Sequence, residues 1–109
     1  MGYSSTAIAD FTVKAMIQVL QKSGPCPQNT SNGWTKGNRR YFYEIGRENR
    51  DGAITGTVVE ILNNSSRNAG SFCVRADGRI VRWPTSTKQQ RNDAEQQGQT
   101  EYNRCYCSP

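Results

Sequence analysis

Arg40, Arg75, Arg79 and Arg82 are the side chains best placed to bind something, and Tyr41, Phe42 and Tyr43 follow directly on the first of them. A guanidinium presents a planar fork of N–H donors that matches phosphate oxygens, and an aromatic face accepts a stacked base. The four arginines are therefore the candidate nucleic-acid contacts. They sit in a segment, Lys36 to Arg91, that holds eleven lysines and arginines against five acids, so it alone carries +6 while the whole chain carries +5. The positive field thus originates in the middle of the chain and not in a tail. A charge excess of this size is also what an ordinary solvated face looks like.

Catalytic chemistry has less to work with. The chain has no histidine, which removes histidine-based triads and the commonest general base, and it contains neither a P-loop nor a complete G-x-G-x-x-G. Glu44 and Glu60 are expected on one sheet face but roughly 13 Å apart, too far for a glycosidase pair. Four cysteines, Cys26, Cys73, Cys105 and Cys107, match the number of a structural zinc site, yet they form one C-x-C and two singletons where zinc knuckles use C-x2–4-C. No catalytic residue, metal ligand or cofactor is assigned. Cys73 is expected as a small strand residue, and Cys105 and Cys107 as exposed thiols. No motif ties the chain to a known family.

These side chains need elements to position them. From Thr6 to Lys22, Ile8, Phe11, Ala15, Met16, Val19 and Leu20 recur at helical spacing, and Val13 and Ile17 widen the apolar stripe. Ser4, Ser5 or Thr6 can cap this helix, Asp10 and Lys14 form an i,i+4 pair, and Ser23-Gly24-Pro25 stops it. Pro25 to Asn38 reads as a loop in which Trp34 plugs the core. Arg40–Arg47 and Ala53–Leu62 read as a hairpin across a turn ending in Asp51-Gly52. If Arg47 pairs with Ala53, then Tyr41, Tyr43, Ile45, Thr57, Val59 and Ile61 share one face. Arg40, Phe42, Glu44, Ile54, Val58 and Glu60 share the other, with Arg40 opposite Glu60 as an ion pair. Asn63 to Gly70 reads as a polar loop. Residues 71–76 and 79–83 flank Asp77-Gly78, read as a two-residue type I′ turn that sets Phe72 beside Trp83, Val74 beside Val81, Cys73 beside Arg82 and Arg75 beside Ile80. Beyond Thr85 the chain is polar. Thr87 can cap a helix whose only apolar residue is Ala94, and Gly98 would end it.

The expected fold is α+β: an N-terminal amphipathic helix packed on an antiparallel sheet of about four strands made of two hairpins. Residues 1–84 form the domain and 85–109 a polar C-terminal extension, helical or ordered by a partner subunit. A small β-barrel with one appended helix is the alternative. Hydrophobic residues make up 34% of the chain and mean hydropathy is −0.82, so the core is thin. A hairpin apolar on both faces needs two covers, and one helix supplies one. Tyr41, Phe42, Tyr43, Ile54 and Val58 are therefore the candidate homo-oligomer interface. No membrane-spanning stretch or signal peptide is visible, which points to a cytoplasmic setting. Together these features describe a small non-catalytic binding module with a basic sheet surface and nucleic acid as its partner. The alternative is a homo-oligomeric protein-interaction or small-ligand-binding protein.

Overall fold

Helix α1 (Ser5–Gln21) follows the apolar spacing of its sequence. The computed structural model describes residues 5–21 and 32–107, and the side chains of 7–21, 32–100 and 102. The expected cap at 4–6 and stop at 23–25 lie outside the described side chains, as does Cys26. Ala9, Val13, Met16, Ile17 and Leu20 of α1 are buried in the core against the sheet, and Phe11, Thr12, Ala15 and Gln18 are buried as well. The helix is covered on two flanks. Asp10 and Lys14 pair at 3.2 Å on its wetter side.

Five strands follow in an antiparallel meander, each bonded to the next: β1 (Gly33–Lys36), β2 (Arg39–Glu48), β3 (Ile54–Leu62), β4 (Ser65–Val74) and β5 (Ile80–Arg82). Two of these segments read as loops from their composition. β1 is joined to β2 by a two-residue turn whose first position, Gly37, has φ 64°, a value that glycine adopts without a Cβ clash. Trp34 is thus a strand residue, 3% exposed in the core. The first half of β4 is hidden in sequence because Ser65, Ser66, Arg67 and Asn68 are all exposed. Backbone pairing with β3, and not apolar alternation, makes this stretch a strand.

Both Asp-Gly turns are three-residue loops built on one plan. Gly52 N donates to Asn49 O at 3.0 Å and Asn49 N to Ala53 O at 2.8 Å; Gly78 N donates to Arg75 O at 2.9 Å and Arg75 N to Arg79 O at 2.7 Å. Asp51 Oδ1 and Asp77 Oδ1 accept from Ala53 N and Arg79 N, each at 3.0 Å. Gly52 and Gly78 adopt φ 86° and 91°. This is a type I turn closed by a left-handed glycine, which needs one positive φ where the type I′ turn needs two.

Loop length corrects the register of both hairpins: the second loop is one residue longer than a type I′ turn, and the first holds three residues, Arg50 to Gly52, where five were expected. Val74 pairs with Ile80, so Ile80 enters the core and Val81 bulges out at 51% exposure. The pairing of Cys73 with Arg82 is as expected. In the first hairpin Arg47 pairs with Thr55, not Ala53, and a bulge falls between Ile45 and Arg47. Tyr41 then faces Glu60 and Tyr43 faces Val58. A one-residue slip exchanges the β3 side chains that accompany β2. The inner face, toward α1, carries Tyr41, Tyr43, Ile54, Val58 and Glu60. The outer face carries Arg40, Phe42, Glu44, Thr57, Val59 and Ile61. Glu44 and Glu60 therefore lie on opposite faces, and Arg40 is opposite Ile61 rather than Glu60.

The sheet curls until β1 approaches the segment after β5. Trp34 and Trp83 lie 5.8 Å apart between ring centres, and Lys36 Nζ donates to Thr85 O at 2.7 Å. Aromatic rings fill the hollow: Trp34 stacks on Tyr41 at 5.6 Å, and Phe72 lies 4.8 Å from Trp83. Gly56 is the floor beneath Phe72, since a Cβ there would collide with that ring and with the Glu44 carbonyl.

Helix α2 (Lys88–Cys107) forms from the polar residues at the C-terminal end. Thr87 starts it with a reciprocal capping box: Gln90 N donates to Thr87 Oγ1 at 3.1 Å and Thr87 N to Gln90 Oε1 at 2.8 Å. Among its described side chains the buried positions are Ala94, Gly98 and Tyr102, four apart on one stripe. Gly98 does not end the helix. A Cβ there would stand 3.3 Å from Thr12 Cα, so its absence lets α1 and α2 touch. Tyr102 meets Phe11 edge to face at 5.6 Å, Gln97 Nε2 donates to Gln18 Oε1 at 2.7 Å, and Glu95 Oε1 accepts from Ile80 N at 2.7 Å. The second flank of α1 is thus covered by the chain's own C-terminal segment. The side chains of Cys105 and Cys107 lie outside those described. Among the described residues no helix is long and apolar enough to cross a membrane.

Candidate nucleic-acid interface

Strand pairing sorts the arginines into two groups. The first group is tied down. Arg39, Tyr41, Glu60 and Arg67 share the inner face at one end of the sheet, where Tyr41, Glu60 and Arg67 are direct cross-strand neighbours. Arg39 Nη1 donates to Glu60 Oε2 at 3.0 Å, and Arg67 Nη2 stands 3.1 Å from Oε1 without hydrogen-bond alignment. Glu60 is only 3% exposed, yet its cover is two arginines that are each more than half exposed. It is a surface cluster roofed by its own partners. Desolvation alone would raise the Glu60 pKa, but the Arg39 and Tyr41 hydrogen bonds and the charges of Arg67 and Arg39 outweigh it and hold the carboxyl below its ordinary range. Tyr41 is pushed up, first by desolvation and then by its hydrogen bond to Glu60.

The second group is free. Arg40, Arg47, Arg75, Arg79 and Arg82 are exposed, and none makes an ion pair among the described residues. All five lie on the outer face or at its rim, where Glu44 is the one carboxylate among the described strand positions. Neither described helix packs on that face.

The register gives the layout. One cross-strand row runs Arg47, Thr55, Cys73, Arg82, with guanidinium groups at both ends and small side chains between. Three strand spacings separate its ends by about 14 Å along the sheet. Arg75 and Arg79 continue this basic end as the flanks of the β4–β5 turn. Arg40 lies at the opposite end of the same face, about 20 Å away along β2, next to the apolar group of Phe42, Val59 and Ile61. Arg40 lines two shallow clefts. One, about 310 Å³, includes Trp34, Tyr41, Phe42 and Ile61 in its wall; the other, about 340 Å³, is shared with Asn38, Arg39, Leu62 and Asn63.

Of the arginines singled out from sequence, Arg75, Arg79 and Arg82 come together at one end and Arg40 stands apart. Arg47 was missed. Plain alternation puts it on the face of Tyr41 and Tyr43, and only the bulge at Gly46 turns it outward; a glycine inside a strand is the signal that could have found it. Of the residues singled out as an oligomer interface, Tyr41, Tyr43, Ile54 and Val58 are in the core, and Phe42 alone is on the outer face. Among the described residues no three His, Cys, Asp or Glu side chains gather as a metal site. No protein-family model, no curated protein and no solved structure matches this chain.

Proposed function

We propose that the protein is a small non-catalytic binding module that takes nucleic acid on the outer face of its curled sheet. The observation that carries this reading is the division of the arginines. Arg39 and Arg67 are spent on Glu60, whereas Arg40, Arg47, Arg75, Arg79 and Arg82, with Glu44 on the same face and Asp77 in the turn between Arg75 and Arg79, make no ion pair among the described residues. Unpaired guanidinium groups are already free to meet phosphate, and each contact releases condensed counterions. Fluorescence anisotropy with labelled oligonucleotides is the test. Binding at about 50 mM salt should weaken steeply by about 200 mM, and no binding at the lower salt would rule the function out.

A second reading, self-association, is supported by the apolar group of Phe42, Val59 and Ile61 on the same face, with Leu62 39% exposed nearby. It would use the surface that the nucleic acid needs, so the two readings compete for one site.

A further inference from the structure

We infer, resting on the nucleic-acid reading above, that the ligand is a single strand, with one base against Phe42 beside Arg40 and phosphates along the Arg47–Arg82 row. Three features of the outer face favour a single strand over a duplex.

The first is size. Five strands side by side span about 19 Å, wider than the ~12 Å major groove that admits a helix or a two-stranded ribbon. The sheet cannot enter a groove face-on. The second is shape. Because the edges curl inward toward Trp34 and Trp83, the outer face bows outward. A duplex, stiff over ~50 nm, meets a bowed surface along a short stretch, and so would not reach both Arg40 and Arg82 without bending. A flexible single strand can follow the curve.

The third is the apolar group. Phe42, Val59 and Ile61 occupy neighbouring positions on β2 and β3, and Phe42 and Ile61 line the cleft of about 310 Å³ that Arg40 also lines. A duplex shows phosphates and groove edges to such a surface and leaves the half-buried Phe42 and Ile61 without further cover, Val59 being only 9% exposed already. A single strand offers base faces, and an unstacked base covers Phe42 while its phosphates remain within reach of Arg40. Thr57 and Ser71 in the centre of the face are small enough for the strand to pass between the two basic ends.

The test uses the full chain with a fluorescein-labelled 12-nucleotide single strand and the matching duplex, at about 50 mM salt. The single strand should bind at least ten-fold tighter. Phe42→Leu and Phe42→Val should each weaken the single strand by about ten-fold, in the range of one lost stacking contact, with the salt slope unchanged. Phe42→Tyr, which keeps the ring, should bind as the wild type does. Thermal melting of each variant shows which of them are folded, and the Phe42→Tyr comparison stands even if both truncations are destabilised. Duplex binding as tight as single-strand binding would overturn the inference and leave the nucleic-acid function standing. So would wild-type affinity in a folded Phe42→Leu variant or loss of single-strand binding in a folded Phe42→Tyr variant. Light scattering that shows a dimer dissociated by Phe42→Leu, with oligonucleotide excluded by the dimer, would overturn it in favour of self-association. Absence of binding to either oligonucleotide would remove the function and the inference together.

Discussion

Glu60 and Tyr43 tie the stability of this fold to pH in opposite senses at the level of single residues. The Glu60 carboxyl titrates below its ordinary 4.5 because Arg39, Tyr41 and Arg67 favour the charged form more than desolvation opposes it. A depressed folded-state pKa contributes stability above the unfolded value, and that stability is lost as pH falls through the folded value. Tyr43 behaves in the opposite sense. Burial first, and the charge of Asp10 second, push its phenol up to about 12 from an ordinary 10. Between those two values the unfolded chain releases the proton and the folded chain keeps it, so stability falls as pH rises from 10 to 12. Melting midpoints measured across pH should therefore decline at both ends. Glu60→Gln should lie below the wild type at neutral pH and converge with it in acid, while Tyr43→Phe should flatten the alkaline decline. A Glu60→Gln deficit that persists unchanged at pH 2 would show that the charge is not what Glu60 contributes.

At the scale of elements, the α1–α2 contact and the two Asp-Gly turns decide the architecture. Helix α2 has little apolar surface, so its place depends on close approach: Ala94, Gly98 and Tyr102 form a stripe against α1, and a Cβ at Gly98 would press on Thr12 at 3.3 Å. Gly98→Leu should separate the helices at a cost of about 1–3 kcal/mol, read as a lower denaturant midpoint. A rise in stability, as helix propensity alone predicts, would show that this contact is not tight. The turns act differently, because the length of each loop, together with the bulge beside it, fixes which β3 and β5 side chains reach the core. Ile80 is buried and Val81 exposed for this reason.

At the scale of the whole molecule, charge is divided by the two faces of one sheet. The inner face closes over aromatic rings and keeps its arginines at Glu60, whereas the five arginines of the outer face make no ion pair among the described residues. Each arginine that contacts a phosphate should contribute to the salt dependence of binding. Replacing Arg75 and Arg82 together with Ala should weaken binding to every sequence alike, since phosphate contacts carry no base information. The slope of log K against log salt should fall by about 1.5. An unchanged slope would place the ligand elsewhere on the surface. The Arg39–Glu60–Arg67 cluster supplies the control, because Arg39→Ala removes a cation of the inner face and should leave the salt slope close to that of the wild type.

The α+β class, the first helix, the Asp10–Lys14 pair, the Thr87 cap and the Cys73–Arg82 pairing were all legible in the sequence. Each follows from local spacing: apolar residues at a helical period, a charge four positions from its partner, a hydroxyl three before a glutamine. The strand at Ser65–Gly70, the inner location of Tyr41 and Tyr43, the outward turn of Arg47 and the passage of α2 through Gly98 were not. In each of these the deciding neighbour is distant along the chain. Backbone pairing with β3 makes a strand of polar residues, and a bulge at Gly46 turns Arg47 over. A missing Cβ at Gly98 matters only because Thr12 is there to meet it. The sequence by itself determined how much positive charge the chain carries and on which strands and turns it begins; only tertiary structure decided which arginines are neutralised and which face outward unpaired, because strand register assigns each side chain its face and its neighbours together.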